Sequence, residues 1–125
     1  MKKQYGEMTE MMAKEIIDWC SKNIGISKYQ DINTLSVRQD ARINTLGLYN
    51  PNTNVLIFNP KRHPSFLEFV DTIIHEYVHF TQNIKNYSKL NKKYGYNNNP
   101  YEIEAIKVAE SNRLICIDEI FGGLV

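Results

Sequence analysis

Ser65-Phe66-Leu67-Glu68-Phe69-Val70-Asp71-Thr72-Ile73-Ile74-His75-Glu76-Tyr77-Val78-His79-Phe80 is the stretch on which the fold turns. Ser65 and Glu68 have the spacing of a capping box, and Pro64 discourages helix at the residue before it. Nine of the following side chains are apolar, a density that predicts a helix buried on most of its circumference. Nothing interrupts that pattern before residues 83–88. Within the helix, His75 and His79 stand four apart, so both imidazoles rise from one face and can reach one metal ion. Glu76 projects in a neighbouring direction, suited to a water molecule beside that ion. The plainer alternative makes the histidines ordinary helix residues with satisfied hydrogen bonds. Burying two imidazoles and a carboxylate on an apolar helix without a partner is costly, which counts against it.

Before this helix, residues 42–49 and 54–59 are rich in β-formers. They flank Asn50-Pro51-Asn52-Thr53, which reads as the turn of a β-hairpin. Residues 31–39 alternate weakly and suit a further strand. Residues 7–23 carry Met8, Met11, Met12, Ile16 and Trp19 at near-helical spacing, with the methionines expected in the core and Gly25 as a stop. After the motif helix, residues 87–99 are polar, rich in Lys, Tyr and Asn, and read as an exposed loop. A final helix is expected from Pro100 to residue 120 or 121, ended by Gly122-Gly123. The order predicts a single α+β domain over residues 1–125: an N-terminal helix, a small sheet with a hairpin, the histidine helix and a C-terminal helix.

At 125 residues, 42% hydrophobic and 23% charged, the chain has the size and composition of one globular domain. A net charge of +1 gives no global field for nucleic acid. Lys2-Lys3 and Lys92-Lys93 read as solvated pairs. Cys20 and Cys116 each lie among apolar residues and are expected as free core thiols. No apolar segment follows Met1-Lys2-Lys3 as in a secretory leader, and no run approaches a membrane span. The expectation is a cytoplasmic protein without membrane or nucleic-acid partners.

His75-Glu76-Tyr77-Val78-His79 is H-E-x-x-H, the helical pattern of zinc peptidases. Together with residues 45–49, 54–59 and Tyr101-Glu102-Ile103-Glu104-Ala105, it resembles a short zincin-like metallopeptidase domain of the kind found in bacterial and phage proteins. The likeness spans residues 41–110, and only the H-E-x-x-H element is highly specific. Within that clan the chain is similar to the glutamate-zincins, whose third ligand comes from a later helix. It also resembles SprT-like domains around the hairpin. It departs from them in having no histidine after His79. The resemblance implies a minimal zincin-like fold and hydrolysis of a protein or peptide substrate. It also implies that the strand at 54–59 is an edge along which substrate pairs.

A catalytic zinc takes three protein ligands and keeps one position open. The resemblance implies His75 and His79 with a glutamate three residues before a small residue, which Glu102 and Ala105 match. The facing of the helix favours the same choice over Glu104, because Glu102 shares its side with Ala105, Ile106 and Ala109. The family often carries Asp or Asn after that alanine, where this chain has Ile106. His63 is expected in a loop near the site or at the surface. Asp71, one turn before His75, is either that imidazole's orienting carboxylate or a solvated acid. Glu76 is the expected general base. Tyr94, Tyr96 and Tyr101 are three candidate oxyanion donors, among which the sequence does not choose. The competing expectation is a zinc-binding structural or interaction module that keeps this fold without turnover.

Overall fold

The computed structural model describes residues 9–123, and within them the fold is α+β. Four α-helices are present among these residues: α1 (Glu10–Asn23), α2 (Phe66–Thr81), α3 (Tyr87–Tyr94) and α4 (Pro100–Phe121). They accompany a three-stranded mixed sheet of β1 (Ser36–Gln39), β2 (Gly47–Asn50) and β3 (Val55–Phe58). Strand order is β1-β3-β2. β3 pairs parallel with β1, Ser36 opposite Val55, and antiparallel with β2, Gly47 opposite Phe58. The strand at 55–58 is therefore central. The expectation that it forms a free edge is wrong, because both of its sides are already hydrogen-bonded. β2 is the edge that faces α2 and the cavity described below.

α2 forms where the sequence places it. The Ser65 hydroxyl accepts from the Glu68 N–H at 3.2 Å, and among the described residues only this half of the capping box is made. Phe69, Val70, Ile73, Ile74, Tyr77 and Phe80 are fully buried. They meet Leu56 and Phe58 of the sheet, Ala13, Ile16 and Cys20 of α1, and Ala109 and Cys116 of α4 in one apolar cluster. Asn99 starts α4 by accepting from the Tyr101 N–H at 2.9 Å, with Pro100 in the first turn. Gly122 ends α4 at φ +76°, a left-handed position that suits glycine. The indole of Trp19 donates to Glu119 at 2.7 Å and ties α1 to α4. Cys20 and Cys116 are free, buried thiols. No helix among the described residues is long and apolar enough to cross a membrane.

Several boundaries differ from the expected ones. α1 starts at Glu10 with Thr9 as its cap, while Met8 lies outside the described residues. Met11 is 72% exposed rather than in the core, where Ala13, Ile16 and Cys20 pack instead. The strand expected over 31–39 contracts to β1, because the Asp31 carboxylate caps a 3-10 turn at Ile32–Thr34. The first hairpin strand begins only at Gly47. Residues 41–46 form a turn instead, with the Asn59 side-chain amide donating to the carbonyls of Ala41 and Ile43 at 3.2 and 3.0 Å. The largest departure is at 87–99. It is not one loop but α3, ended by Gly95 at φ +79°, and a 3-10 turn at Tyr96–Asn98.

Candidate metal centre

The four-residue spacing on α2 sets the His75 and His79 rings 5.0 Å apart. Across from them, Glu102 occupies the third residue of α4, placed there by the Asn99-Pro100 start. Ala105 and Ala109, both fully buried, line the face of α4 that Glu102 shares. Small side chains permit close helix approach. The His75 Nε2 lies 2.9 Å from one Glu102 oxygen and the His79 Nε2 3.2 Å from the other. His75, His79 and Glu102 each offer a ligand atom within 4.8 Å of the other two, so this group could hold a metal ion. Glu104 is not among them. It is exposed, and its carboxylate accepts from the Gln82 amide at 2.7 Å.

The donor set fits a metal chemically. In His79, Nδ1 lies 2.7 Å from the Gln82 side-chain oxygen, which can only accept, so Nδ1 carries the proton. In the neutral ring that leaves the Nε2 lone pair turned toward the site. Gln82 is in turn held by its amide, which donates to the Tyr101 carbonyl at 2.9 Å as well as to Glu104. Tyr87 of α3 donates its hydroxyl to the second Glu102 oxygen and sets its ring edge against His79. Ligands about 2.0–2.2 Å from a tetrahedral ion stand roughly 3.3–3.6 Å apart, a few tenths of an ångström from the two imidazole–carboxylate distances found here.

Burial pushes the Glu102 carboxyl upward, but hydrogen bonds from His75, His79 and Tyr87 outweigh it and hold the group well below the usual carboxylate range. Burial pushes His79 downward, and Glu102, Glu76 and Gln82 together reverse this and raise it. Glu76 moves the other way from Glu102. Desolvation raises its pKa, opposed by His79, His75 and a hydrogen bond from the Tyr49 backbone N–H. A carboxylate raised toward neutrality is a stronger base, as proton abstraction from water requires.

That N–H belongs to the free edge of the sheet. The Asn59 N–H donates to the Leu46 carbonyl at 2.9 Å, so the antiparallel alternation turns the main-chain groups of Gly47 and Tyr49 outward. Gly47 is required by close packing. A Cβ there would lie 2.7 Å from the Thr72 methyl and 3.1 Å from the Ile57 carbonyl. β2 thus lies directly against α2, one turn from Glu76. The cleft between β2, α2 and α3 has a volume of about 420 Å³, with Leu48, Tyr49 and Pro51 on one wall, Ile84, Tyr87 and Ser88 on another, and Glu76 with the three metal-site residues at its base.

His63 lies in the loop before α2, but it is not a surface residue and not a member of the metal group. It is buried, its Nδ1 donates to the Asn59 carbonyl at 2.8 Å, and its Nε2 therefore accepts from the Thr72 hydroxyl at 3.1 Å. Desolvation lowers its pKa, with Asn59 and Glu68 opposing. Asp71 does not orient His75 but pairs with Arg113 of α4 at 3.1 Å. Of the three tyrosines considered as oxyanion donors, Tyr96 alone lines the cleft. Gln82, Tyr87 and Gly47 are functional positions that sequence reasoning missed. Gln82 stands three residues after His79, and Tyr87, Leu90, Asn91 and Tyr94 carry the i, i+3, i+4, i+7 spacing of a helix face. Compared with family models, curated proteins and solved structures, the chain gives no match.

Proposed function

We propose that this chain is a zinc-dependent peptide-bond hydrolase of zincin type, with His75, His79 and Glu102 as metal ligands and Glu76 as general base. The observation that carries the reading is the convergence of two imidazoles and a carboxylate beside a second, desolvated carboxylate at the base of an open cleft. Two histidines with one glutamate are a known ligand set of catalytic zinc, which supplies a Lewis acid that acidifies water and polarises a carbonyl. Glu76 takes the proton of the attacking water and delivers it to the leaving amine. Gln82 fixes the His79 tautomer, Tyr87 spends its hydroxyl proton on Glu102, and Tyr96, which lines the cleft, can meet a developing oxyanion. Of the outward main-chain groups of β2 the Gly47 carbonyl already accepts from Thr45, and the Gly47 N–H and Tyr49 carbonyl, rather than groups of β3, offer pairing to an extended peptide. Two buried free thiols accord with a reducing, cytoplasmic setting.

Glu76→Gln tests the reading. The zinc-loaded variant is expected to retain its metal and to lose hydrolysis of labelled casein by about 10²–10⁴-fold. Cleavage by the variant at the wild-type rate would remove Glu76 from the chemistry. Stoichiometric zinc without cleavage in the unaltered chain would favour the non-catalytic binding module.

A further inference from the structure

We propose that α3 makes the cleft selective for acidic peptide segments; the inference rests on the peptidase reading and names its substrate class. From Tyr77 to Tyr101 the chain contains no Asp or Glu, yet it carries Lys85, Lys89, Lys92 and Lys93. All four lysines are exposed. Lys93 lies over the ring of Tyr94 at 5.2 Å, whereas Lys85, Lys89 and Lys92 form no ion pair among the described residues.

Their position matters more than their number. Ile84 and Ser88 line the cleft. Lys85 follows the first directly, and Lys92 stands one helical turn beyond the second, on the same side of α3. Two ammonium groups without an ion pair among the described residues therefore belong to the segment that forms one wall. The opposite wall, from Thr45 to Pro51, carries no charged side chain. At the base, Glu76 and Glu102 are the carboxylates, and the metal would offset their charge. The cleft is thus positive on one side, neutral on the other, and open along a free strand edge. An extended peptide with Asp or Glu on the α3 side satisfies all three features. A nucleic-acid backbone would demand cations on both walls and along a longer track.

Fluorescein-labelled nonapeptides, alike except for two central-flanking Glu, Ala or Lys residues, provide the test. Anisotropy is read with the zinc-loaded Glu76→Gln chain, so that binding is measured without turnover. The Glu peptide is expected to bind about fivefold tighter than the Lys peptide at low salt, a preference that shrinks as salt rises. In the Lys85→Glu/Lys92→Glu background the order reverses. Equal affinity for all three peptides, an order unmoved by the double substitution, or tighter binding of a single-stranded oligonucleotide overturns the proposal. Cleavage of the peptides without charge preference sinks the selectivity and leaves the peptidase reading standing. Selective binding without cleavage by the unaltered zinc-loaded chain does the reverse. Neither binding nor cleavage removes both.

Discussion

α2 meets α4 on one flank and the sheet on another, and the two contacts work by different means. Toward α4 the contact carries polar groups: Glu102 against both histidines, Gln82 against Tyr101 and Glu104, Asp71 against Arg113. Toward the sheet it is shape, with Phe69 edge-on to Phe58 at 5.2 Å and Gly47 pressed against Thr72. Metal ligands would need directional donors and fixed tautomers, which hydrogen bonds to a helix start can supply. A general base would need a desolvated seat and a nearby strand edge, which close packing produces. Metal affinity and catalytic placement should therefore be separable by mutation.

The largest effect is expected from Glu102→Ala. It should lower zinc affinity by roughly a hundredfold or more in chelator competition, with the fold retained, whereas Glu104→Ala should cost much less. Full zinc retention by Glu102→Ala would take that residue out of the ligand set. Gln82→Leu comes next, because it releases the His79 tautomer while keeping bulk. A fall in zinc affinity of about 10–100-fold is expected. If affinity is unchanged, the α4 flank acts only through Glu102.

Gly47→Ala probes the other flank. Overpacking against Thr72 should destabilise the fold by about 1–3 kcal/mol in urea unfolding. Casein hydrolysis should fall while zinc affinity holds, since β2 and the Tyr49 N–H would be pushed from Glu76. Adding Thr72→Ser removes the offending methyl but keeps the hydroxyl that His63 accepts from, and should restore much of the loss. A fall in zinc affinity as large as that for Gln82→Leu would erase the distinction between the flanks.

The smallest effect concerns His63 and pH. Its pKa in the fold lies below the ordinary 6.5, so the fold favours the neutral ring. The stability it contributes is complete above that value and is lost as pH falls below it, because the unfolded chain then binds the proton more readily. Unfolding of the metal-free chain should show a steeper acid-side loss for wild type than for His63→Gln. Parallel curves would mean that the Thr72 contact is indifferent to the ring's charge.

Much of the metal side was legible in order along the chain. Spacing alone puts His75 and His79 on one face, and the Asn-Pro start with following alanines singles out the face that carries Glu102. The wall at 87–94 was harder to read. Its only apolar or aromatic anchors are Tyr87, Leu90 and Tyr94, and the lysines and asparagines between them mask the period. A polar helix of eight residues has little stability of its own. It is held here by contacts such as Tyr87 with Glu102 and the Asn99 amide with the Tyr87 carbonyl.

Local periodicity, caps and turn residues thus determined from sequence the α+β class, the motif helix, the hairpin and the final helix, since each depends on neighbours a few residues apart. Which strand is the edge, what Glu104 bonds to and what becomes of His63 were decided only in three dimensions. β3 became central because β1 docks on it from nineteen residues away. Glu104 turned to Gln82 because two residues along α4 rotate its direction by about 200° from that of Glu102. His63 was buried because the Asn59 carbonyl and the Thr72 hydroxyl between them consume both of its nitrogens, partners that no spacing rule brings together.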